Sequence, residues 1–255
     1  MSNLDYKAII ALLKSEEEAN QELGFQLMES LGVVSNHELA QLISAQPKHL
    51  LRSLDNNWTA LLNLVRKIEF RYQAIATLPS NLKLLKNLEI LSISHGTLST
   101  LPKEIGQLTK LKRLILNYNI LNYIPEEIGD LKNIIELSFV GSGLDEFPIC
   151  ILNLPNLEIL SLIDNQISTL PKGLIHLDKL KKLILRNNAL DELPMELCML
   201  EHLEILDLSE NNIKRLPGAL SVLQNLKILY LSRNPLNKSE QEKVRNILPN
   251  TVIYI

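Results

Sequence analysis

The chain has 255 residues, 46% of them hydrophobic, which is enough to bury a large core. The formal net charge is only -3, from 26 Lys and Arg against 29 Asp and Glu, and the chain has no run of five or more like charges. This balance argues against nucleic acid as a partner, and the lack of any apolar stretch of about 18 residues argues against a membrane span.

The first residues do not have the pattern of a secretion signal. Such a signal is a basic region followed by an uninterrupted apolar core, whereas this chain has acids at Asp5 and at residues 16–18. Its two cysteines, Cys150 and Cys198, are too few for a disulfide framework. We therefore expect a cytoplasmic protein whose cysteines stay reduced.

Residues 1–54 predict a helical segment that differs from the rest of the chain. Two capping boxes each precede an apolar-periodic stretch: Ser15 with Glu18, and Ser35 with Glu38. The two helices are expected to end at Gly32 and Pro47 and to bury two apolar faces: Leu23, Leu27 and Leu31, then Leu39, Leu42 and Ile43. We interpret the segment as a cap over the first repeat; a separate docking module is the alternative.

A pair formed by one large apolar residue and a proline recurs every 23 residues without an insertion. The pairs are Leu78-Pro79, Leu101-Pro102, Ile124-Pro125, Phe147-Pro148, Leu170-Pro171, Leu193-Pro194 and Leu216-Pro217. A fixed period in the range of about 20–29 residues is typical of a horseshoe-shaped solenoid.

Each repeat predicts a turn followed by a strand. Residues 101–123 read LPKEIGQLTKLKRLILNYNILNY, and the apolar positions recur in every copy. The second half alternates apolar and polar residues, as in a half-buried strand, whereas the proline and wider apolar spacing of the first half suit a turn and a short helical segment. The strands must stack about 4.8 Å apart in a parallel sheet to bury their leucines.

The repeat region is predicted to cover residues 55–238, with one degenerate copy and seven regular ones. The degenerate copy places Val65, Ile68, Phe70 and Ile75 in the apolar positions and supplies the first strand. Residues 239–255 break the period, and we interpret them as a terminal helix and strand that close the core.

These repeats resemble the intracellular leucine-rich repeat proteins of the Ras-group and bacterial types, whose units read LPxxIxxLxxLxxLxLxxNxLxx. The resemblance implies an α/β horseshoe with a parallel sheet inside the curve and a protein partner bound by that sheet. In this family an asparagine ties the turn after each strand to its neighbours. The matching residues are Asn119, Asn165, Asn188, Asn211 and Asn234, whereas Gln73, Gly96 and Ser142 depart from the pattern.

Residues between the strand leucines should point to the concave side of the sheet. The apolar ones among them, on adjacent strands of the middle repeats, form a predicted patch rimmed by charges that nearly cancel. The predicted partner-binding residues are Ile115, Tyr118, Glu136, Ser138, Val140, Ile159, Ile163, Asp164, Lys182, Ile184, Arg186 and Asp207. The alternative is that β-branched residues here only favour strands.

Small residues at Gly141, Ser142 and Gly143 leave a notch between Tyr118 and Asp164. We interpret it as a decayed repeat, or alternatively as a pocket for a side chain of a partner.

No motif for nucleotide, metal or nucleophilic catalysis occurs, so we expect neither enzyme activity nor a small-molecule substrate, cofactor or metal. His95 and Asp164 lie three repeats apart, about 14 Å at the strand spacing, which is too far for a hydrogen bond within a catalytic site. Asp207 and Glu210 could form a carboxylate pair, but we interpret them as solvated surface acids.

The sequence therefore predicts a monomeric scaffold that binds another protein on the concave face. Two narrower hypotheses stay open: a signalling regulator that binds a small GTPase, and a bacterial effector or recognition module. Affinity that depends on the bound nucleotide would identify the first.

Overall fold

The computed structural model describes residues 3–32, 36–121 and 123–255. It is a curved α/β solenoid in which nine parallel strands form one sheet, in chain order from end to end. The strands are β1 (Lys67–Arg71), β2 (Ile90–Ser94), β3 (Arg113–Ile115), β4 (Glu136–Ser138), β5 (Ile159–Ser161), β6 (Lys182–Ile184), β7 (Ile205–Asp207), β8 (Ile228–Tyr230) and β9 (Val252–Tyr254).

The helices lie at the two ends of the sheet, with 3-10 helices between its strands. The α-helices are α1 (Asn3–Leu13), α2 (Glu18–Leu31), α3 (His37–Ala45), α4 (Pro47–Asp55), α5 (Thr59–Leu62) and α6 (Lys238–Ile247). The 3-10 helices are Ser80–Leu84, Lys103–Gln107, Glu126–Asp130, Ile149–Asn153, Lys172–His176, Met195–Met199 and Gly218–Val222. Each 3-10 helix follows the repeat proline, whose fixed φ suits the residue that precedes a helical turn.

The register of the sheet follows the 23-residue period. Ile90 pairs with Arg113 and Arg113 with Glu136, one repeat apart each time. The last pair is different: Ile228 pairs with Val252, 24 positions on, so the chain holds one extra residue before β9. The predicted terminal helix and strand are thus present as α6 and β9, and β9 extends the sheet.

The core between the strands and the 3-10 helices consists of the repeat leucines. Leu111, Leu114 and Leu116 are all fully buried, and their counterparts in the other repeats are buried with them. Burial of a leucine side chain stabilises a fold by roughly 1.5–3 kcal/mol, so a stack of such units holds a long array together.

The predicted asparagine ladder is present on one side of this core. The Asn165 Oδ1 accepts from the amides of Ser142 and Leu144 at 3.2 and 3.0 Å, and its Nδ2 donates to the Phe139 carbonyl at 2.8 Å. Ser142 fills the same position with a shorter side chain, whose Oγ donates to the Leu116 carbonyl at 3.3 Å.

A second ladder, which the sequence reading missed, runs along the outer side. Its asparagines each donate to a backbone carbonyl of the preceding repeat: Asn87, Asn133, Asn156 and Asn225. The signal was available, because these four positions differ by multiples of 23. Both ladders satisfy backbone groups that the short strands leave without a sheet partner.

The N-terminal helices pack on the first repeat. α3 contacts β1, and α4 contacts the first 3-10 helix. Their core centres on Phe25, whose ring meets the ring of His49 edge-on at 5.1 Å and stacks on Trp58 at 5.9 Å. The helices therefore cover the apolar end of the array as a cap.

The predicted buried face of α2 is wrong at Leu23 and Leu31, whereas Leu27 is half-buried against the core. Leu23 and Leu31 are 46% and 49% exposed, whereas Gly24, Phe25 and Met28 are buried. The cause is the close approach of α1, since a Cβ atom at Gly24 would lie only 3.1 Å from the Leu13 Cδ2. The helix therefore turns Gly24 toward α1 and turns Leu23 and Leu31 toward solvent.

The predicted capping boxes are also wrong. The residue before α2 is Glu17, and the Ser15 Oγ accepts from the Glu17 amide at 3.2 Å without capping the helix. Asn36 caps α3 by accepting from the Leu39 amide at 3.0 Å, and Ser35 lies outside the described residues. Pro47 does not only follow α3: it is the first residue of α4, where its missing N–H costs nothing.

Candidate functional site

The concave face is the side of the sheet formed by the outward residues of β1 to β9. One residue after each strand up to β8 turns the chain with a positive φ of 53–60°. These residues are Tyr72, His95, Tyr118, Gly141, Asp164, Asn187, Glu210 and Arg233. The left-handed turn brings their side chains into one column along the rim of the face.

The predicted apolar patch is smaller than expected. Ile159 lies on β5, Ile163 in the turn after β5 and Ile184 on the neighbouring strand β6. All three are half-buried, and we call them the middle patch. Ile115 is also half-buried, but Ser138 and Ser161 separate it from Ile184 along the row that crosses the sheet. The isoleucines therefore form a compact group on β5 and β6 with one outlier on β3.

Val140 and Ser138 do not belong to the exposed patch, contrary to prediction. Both are only 7% exposed. The Asn117 side chain reaches across from the preceding repeat, and its Oδ1 accepts from the Ser138 Oγ at 2.7 Å and from the Val140 amide at 3.0 Å. The two residues are thus held under Asn117 and are not offered to a partner.

The predicted charged residues surround the middle patch in ion pairs and hydrogen bonds. The Arg113 Nε donates to Glu136 at 2.6 Å, and Arg186 pairs with Glu210 at 2.7 Å. The Asp164 Oδ1 accepts from the Asn187 Nδ2 at 2.9 Å. Lys182 is exposed beside Ile159. The rim is therefore polar and of mixed sign.

Asp207 and Glu210 are each engaged by other groups. The Asp207 Oδ1 accepts from the Ser209 amide at 2.9 Å, whereas Glu210 pairs with Arg186 and with Arg233, the latter at 3.3 Å. The arrangement couples each acid to donors and not to the other acid, which fits structural carboxylates better than an acid-base pair.

The predicted notch beside Gly141 is filled. A Cβ atom at Gly141 would lie 2.7 Å from the Tyr118 Cδ1, so the tyrosine ring lies directly against the glycine backbone. The pocket interpretation is therefore wrong, because Tyr118 of the same chain occupies the space. Glycine is needed here both for this contact and for the positive φ of 57°.

Tyr118 belongs to an aromatic stack that the sequence reading did not identify. The rings of Tyr72 and His95 lie 4.8 Å apart, and those of His95 and Tyr118 lie 4.5 Å apart. These distances match the spacing of neighbouring strands, because the three residues occupy the same position in successive repeats. The signal was their 23-residue spacing, which starts in the degenerate repeat.

A second apolar group occupies the C-terminal end of the concave face. The rings of Tyr230 and Tyr254 stack at 4.8 Å, and Ile228 lies beside Val252, which is 54% exposed. The extra residue before β9 shifts the period by one, so the sequence pattern could not place Tyr254 next to Tyr230.

A column of alternating charge runs beside the first concave column. Arg66 and Lys112 both bond Glu89, and the same pattern recurs where Lys181 meets Glu158 and Lys227 meets Glu204. The hydrogen bond from Lys112 lowers the pKa of the Glu89 carboxyl. The column is interrupted by Ile135, which is 39% exposed.

Cys150 and Cys198 are free thiols, and both are buried. Burial raises the pKa of Cys150 to about 11 and also raises the pKa of Cys198. Thiols of this kind are poor nucleophiles at neutral pH. Within the part of the chain that the structure describes, no group of three or more His, Cys, Asp or Glu residues is placed to hold a metal ion.

None of the described helices is both long and apolar enough to cross a lipid bilayer.

Comparison with known proteins, by sequence family and by structure, finds leucine-rich repeat proteins. The family described as "Leucine rich repeat" matches residues 178–236, and a search of curated protein sequences gave no significant match. A leucine-rich repeat protein of Leptospira interrogans has a similar structure, with a TM-score of 0.69 and 30% sequence identity. The similarity covers 87% of this chain and 64% of that protein, so this chain spans less than two thirds of its length.

Two further proteins with a similar fold are internalins from Listeria monocytogenes. An internalin C2 has a TM-score of 0.66 at 23% identity, and the similarity covers 77% of this chain and 82% of the internalin. A further internalin has a TM-score of 0.70 at 17% identity, over 98% of this chain and 87% of its own. At these identities the similarity shows a shared fold alone.

Proposed function

We propose that this chain, which is a leucine-rich repeat protein, binds another protein on its concave face, with the middle patch at the centre of the contact. The leucine-rich repeat fold generally mediates protein-protein interaction. The proposal for this chain goes further, because it names the face and the residues. Ile159, Ile163 and Ile184 would supply the apolar centre, and Glu136, Lys182 and Arg186 the polar rim.

The observation that carries the proposal is the grouping of three half-buried isoleucines at outward positions of neighbouring strands. Single exposed apolar residues are ordinary on a protein surface, whereas a contiguous group with a charged rim is typical of an interface. The face is also open and long, so it can match an extended surface of a partner better than it can enclose a small molecule.

We propose further that the chain is a scaffold and not an enzyme, and that it acts as a monomer in the cytoplasm without a cofactor. The paired carboxylates Asp207 and Glu210 are held by other side chains, and the buried thiols of Cys150 and Cys198 support a reducing compartment. Acids and bases alternate along the array, which disfavours nucleic acid and anionic membranes as partners.

The test is an affinity capture with the full chain, compared with two matched variants. Ile163→Glu places an unpaired charge in the middle patch, and Ile175→Glu places the same charge on the outer side, where Ile175 is 38% exposed. We expect both variants to fold, because surface substitutions usually change stability by less than about 0.5 kcal/mol. Only Ile163→Glu should lose the captured protein.

Retention of that protein by Ile163→Glu, or its loss from both variants, would contradict the proposed surface. A melting curve of each variant separates lost binding from lost structure. The small-GTPase and bacterial-effector hypotheses stay predictions, and the identity of the captured protein decides between them.

A further inference from the structure

We propose that a depression between β1 and β3, at the N-terminal end of the concave face, is a subsite for a carboxylate in an acidic segment of a protein partner. The inference deepens the proposed function and rests on it, since both use the concave face. It assigns chemistry to a region that the middle patch does not include.

The depression has a volume of about 510 Å³. Its floor is formed by the small residues Ser92 and Ser94 on β2, and its sides by larger residues of the neighbouring strands and turns. Those that the proposal uses are Arg71, His95, Asn117 and Tyr118. Small hydroxyl residues between longer side chains leave room for a group from outside and offer it donors.

Arg71 is a cation of the depression that makes no ion pair with a carboxylate among the described residues. Its guanidinium carbon lies 5.1 Å from the centre of the Tyr72 ring, and among the described residues no carboxylate lies within ion-pair distance of it. Arg186 occupies the same position in its repeat but pairs with Glu210 at 2.7 Å. One arginine is thus neutralised by its own chain, whereas the other keeps its charge for a ligand.

Asn117 points its donor end away from its own hydrogen-bonded contacts. Its Oδ1 accepts from the Val140 amide and the Ser138 Oγ, so this atom must be the oxygen. The Nδ2 therefore lies on the other branch of the side chain, and Asn117 is one of the residues that line the depression. Together with Ser92 and Ser94 it adds neutral donors beside the Arg71 charge.

The aromatic stack fixes the wall of the depression. His95 is held between Tyr72 and Tyr118, with ring centres 4.8 and 4.5 Å away, and Tyr118 in turn rests on Gly141. Groups held in this way need little ordering when a ligand binds, which lowers the entropic cost of association.

The charge balance favours a carboxylate over a dianion. On β1 and β3 the outward cations are Lys67, Arg71 and Arg113, but Lys67 pairs with Glu69 at 2.8 Å and Arg113 pairs with Glu136. One unpaired guanidinium matches one carboxylate in charge and in planar geometry. A phosphate dianion would bring a second charge close to Glu69, which also lines the depression.

The experiment uses the full chain and two synthetic peptides as probes. One is a short peptide that alternates glutamate and alanine, and the other carries glutamine in place of glutamate. Nuclear magnetic resonance titration follows the backbone amides of Ser92, Ser94 and His95, and fluorescence anisotropy gives the dissociation constant. We expect the glutamate peptide alone to shift these amides, more strongly at about 0.05 M than at 0.5 M salt.

The decisive comparison is between two arginines. Arg71→Ala should weaken binding of the glutamate peptide about tenfold, as for the loss of one hydrogen bond to a charged group. Arg233→Ala, at an exposed and ion-paired position near the C-terminal end of the concave face, should leave the affinity within about twofold. Melting curves of both variants confirm that the fold is kept, which we expect because both side chains are exposed.

Four results would overturn the proposal: equal binding of the glutamine peptide, no shift at Ser92 and Ser94, equal weakening by the two arginine variants, or displacement of the peptide by inorganic phosphate at lower concentration than by acetate. The last would assign the site to phosphate. None of them changes the result expected for Ile163→Glu, because Ile163 follows β5, two strands beyond β3. Failure of this site and failure of the proposed function are therefore distinguishable.

Discussion

The repeat array and the N-terminal helices are stabilised by different kinds of contact. In the array one set of contacts is used again and again, as when Asn165, Asn188 and Asn211 each bond the preceding repeat in the same manner. In the helices each contact occurs once. Phe25 packs on His49 and Trp58, and Arg52 lies over the Phe25 ring at 4.5 Å.

The ion pairs show the same difference. Along the array, pairs such as Lys181 with Glu158 join residues 23 positions apart. In the helices, Arg52 joins Glu22 and Glu29 on α2. Because its contacts repeat, the fold of the array can be predicted from the sequence, and its stability is shared among many equivalent contacts. The cap instead depends on a few contacts that have no equivalent elsewhere in the described residues. Four predictions test this comparison.

The largest effect is expected from Phe25→Ala in the cap. Truncation of a fully buried phenylalanine costs roughly 3–5 kcal/mol, and the cluster around Phe25 has no duplicate. Hydrogen exchange should show lost protection in residues 3–62 while β4 to β8 keep theirs. Leu23→Ala, at a position 46% exposed on the same helix, is the control and should be close to neutral. Loss of protection throughout would mean that cap and array unfold as one unit.

In the array, Leu162→Ala should cost roughly 2–5 kcal/mol, because it leaves a cavity at a fully buried position. Leu185 occupies the same position in the next repeat, so Leu185→Ala should cost the same within about 1 kcal/mol. Urea denaturation measures both. A much larger difference between the two would show that the repeats are not interchangeable.

A smaller effect is expected from the inner asparagine ladder. Asn165→Ala removes the acceptor of two buried amides, and leaving buried groups unsatisfied costs about 1–3 kcal/mol. Asn225→Ala in the exposed outer ladder should cost less than about 0.5 kcal/mol, since water can replace its single bond. Equal costs would mean that burial does not distinguish the ladders.

The smallest effect concerns the pH dependence of the cap. His49 is fully buried, and burial lowers its pKa from the ordinary 6.5. The unfolded chain therefore binds a proton at a pH where the folded chain does not, so stability is complete above about pH 6.5 and falls as the pH drops through that value. The melting temperature should decrease by a few degrees between neutral and mildly acidic pH.

His49→Gln should reduce this pH dependence, because glutamine does not titrate and can still bond Gln21, which now lies 3.4 Å from the His49 Nε2. His202→Gln, at an exposed position, should leave it unchanged. An unchanged profile in His49→Gln would show that another group is responsible.

The fold of the array could be predicted because each position of the repeat recurs in successive copies. The strand alternation predicted strand leucines in the core and Ile163 on the concave face, and in the structure Leu162 is fully buried and Ile163 is half-buried. The face of α2 could not be predicted in this way. Leu23, Leu27 and Leu31 form an apolar stripe at helical spacing, but α1 packs against the other side of the helix, and that contact has no periodic signal.

The candidate surface was predicted in outline only. Its columns follow from strand alternation, but the burial of Val140 depends on where Asn117 places its amide, which no pattern encodes. The aromatic stack was readable in principle. It was not predicted, because its first member, Tyr72, lies in the degenerate repeat.

Gly96 and Ser142 interrupt the inner asparagine ladder in the N-terminal half of the array. From β4 to β8, four asparagines tie each unit to the one before it: Asn165, Asn188, Asn211 and Asn234. Between β3 and β4 the corresponding side chain is the shorter Ser142, which makes one bond to Leu116. In a one-dimensional lattice a boundary between ordered and disordered units forms where the coupling of neighbours is weakest. Asn117 adds two bonds across the boundary at Ser142, whereas Gly96 offers no side chain between β1 and β2. Stretched from both ends, the protein should therefore retain β4 to β8 as one mechanical block.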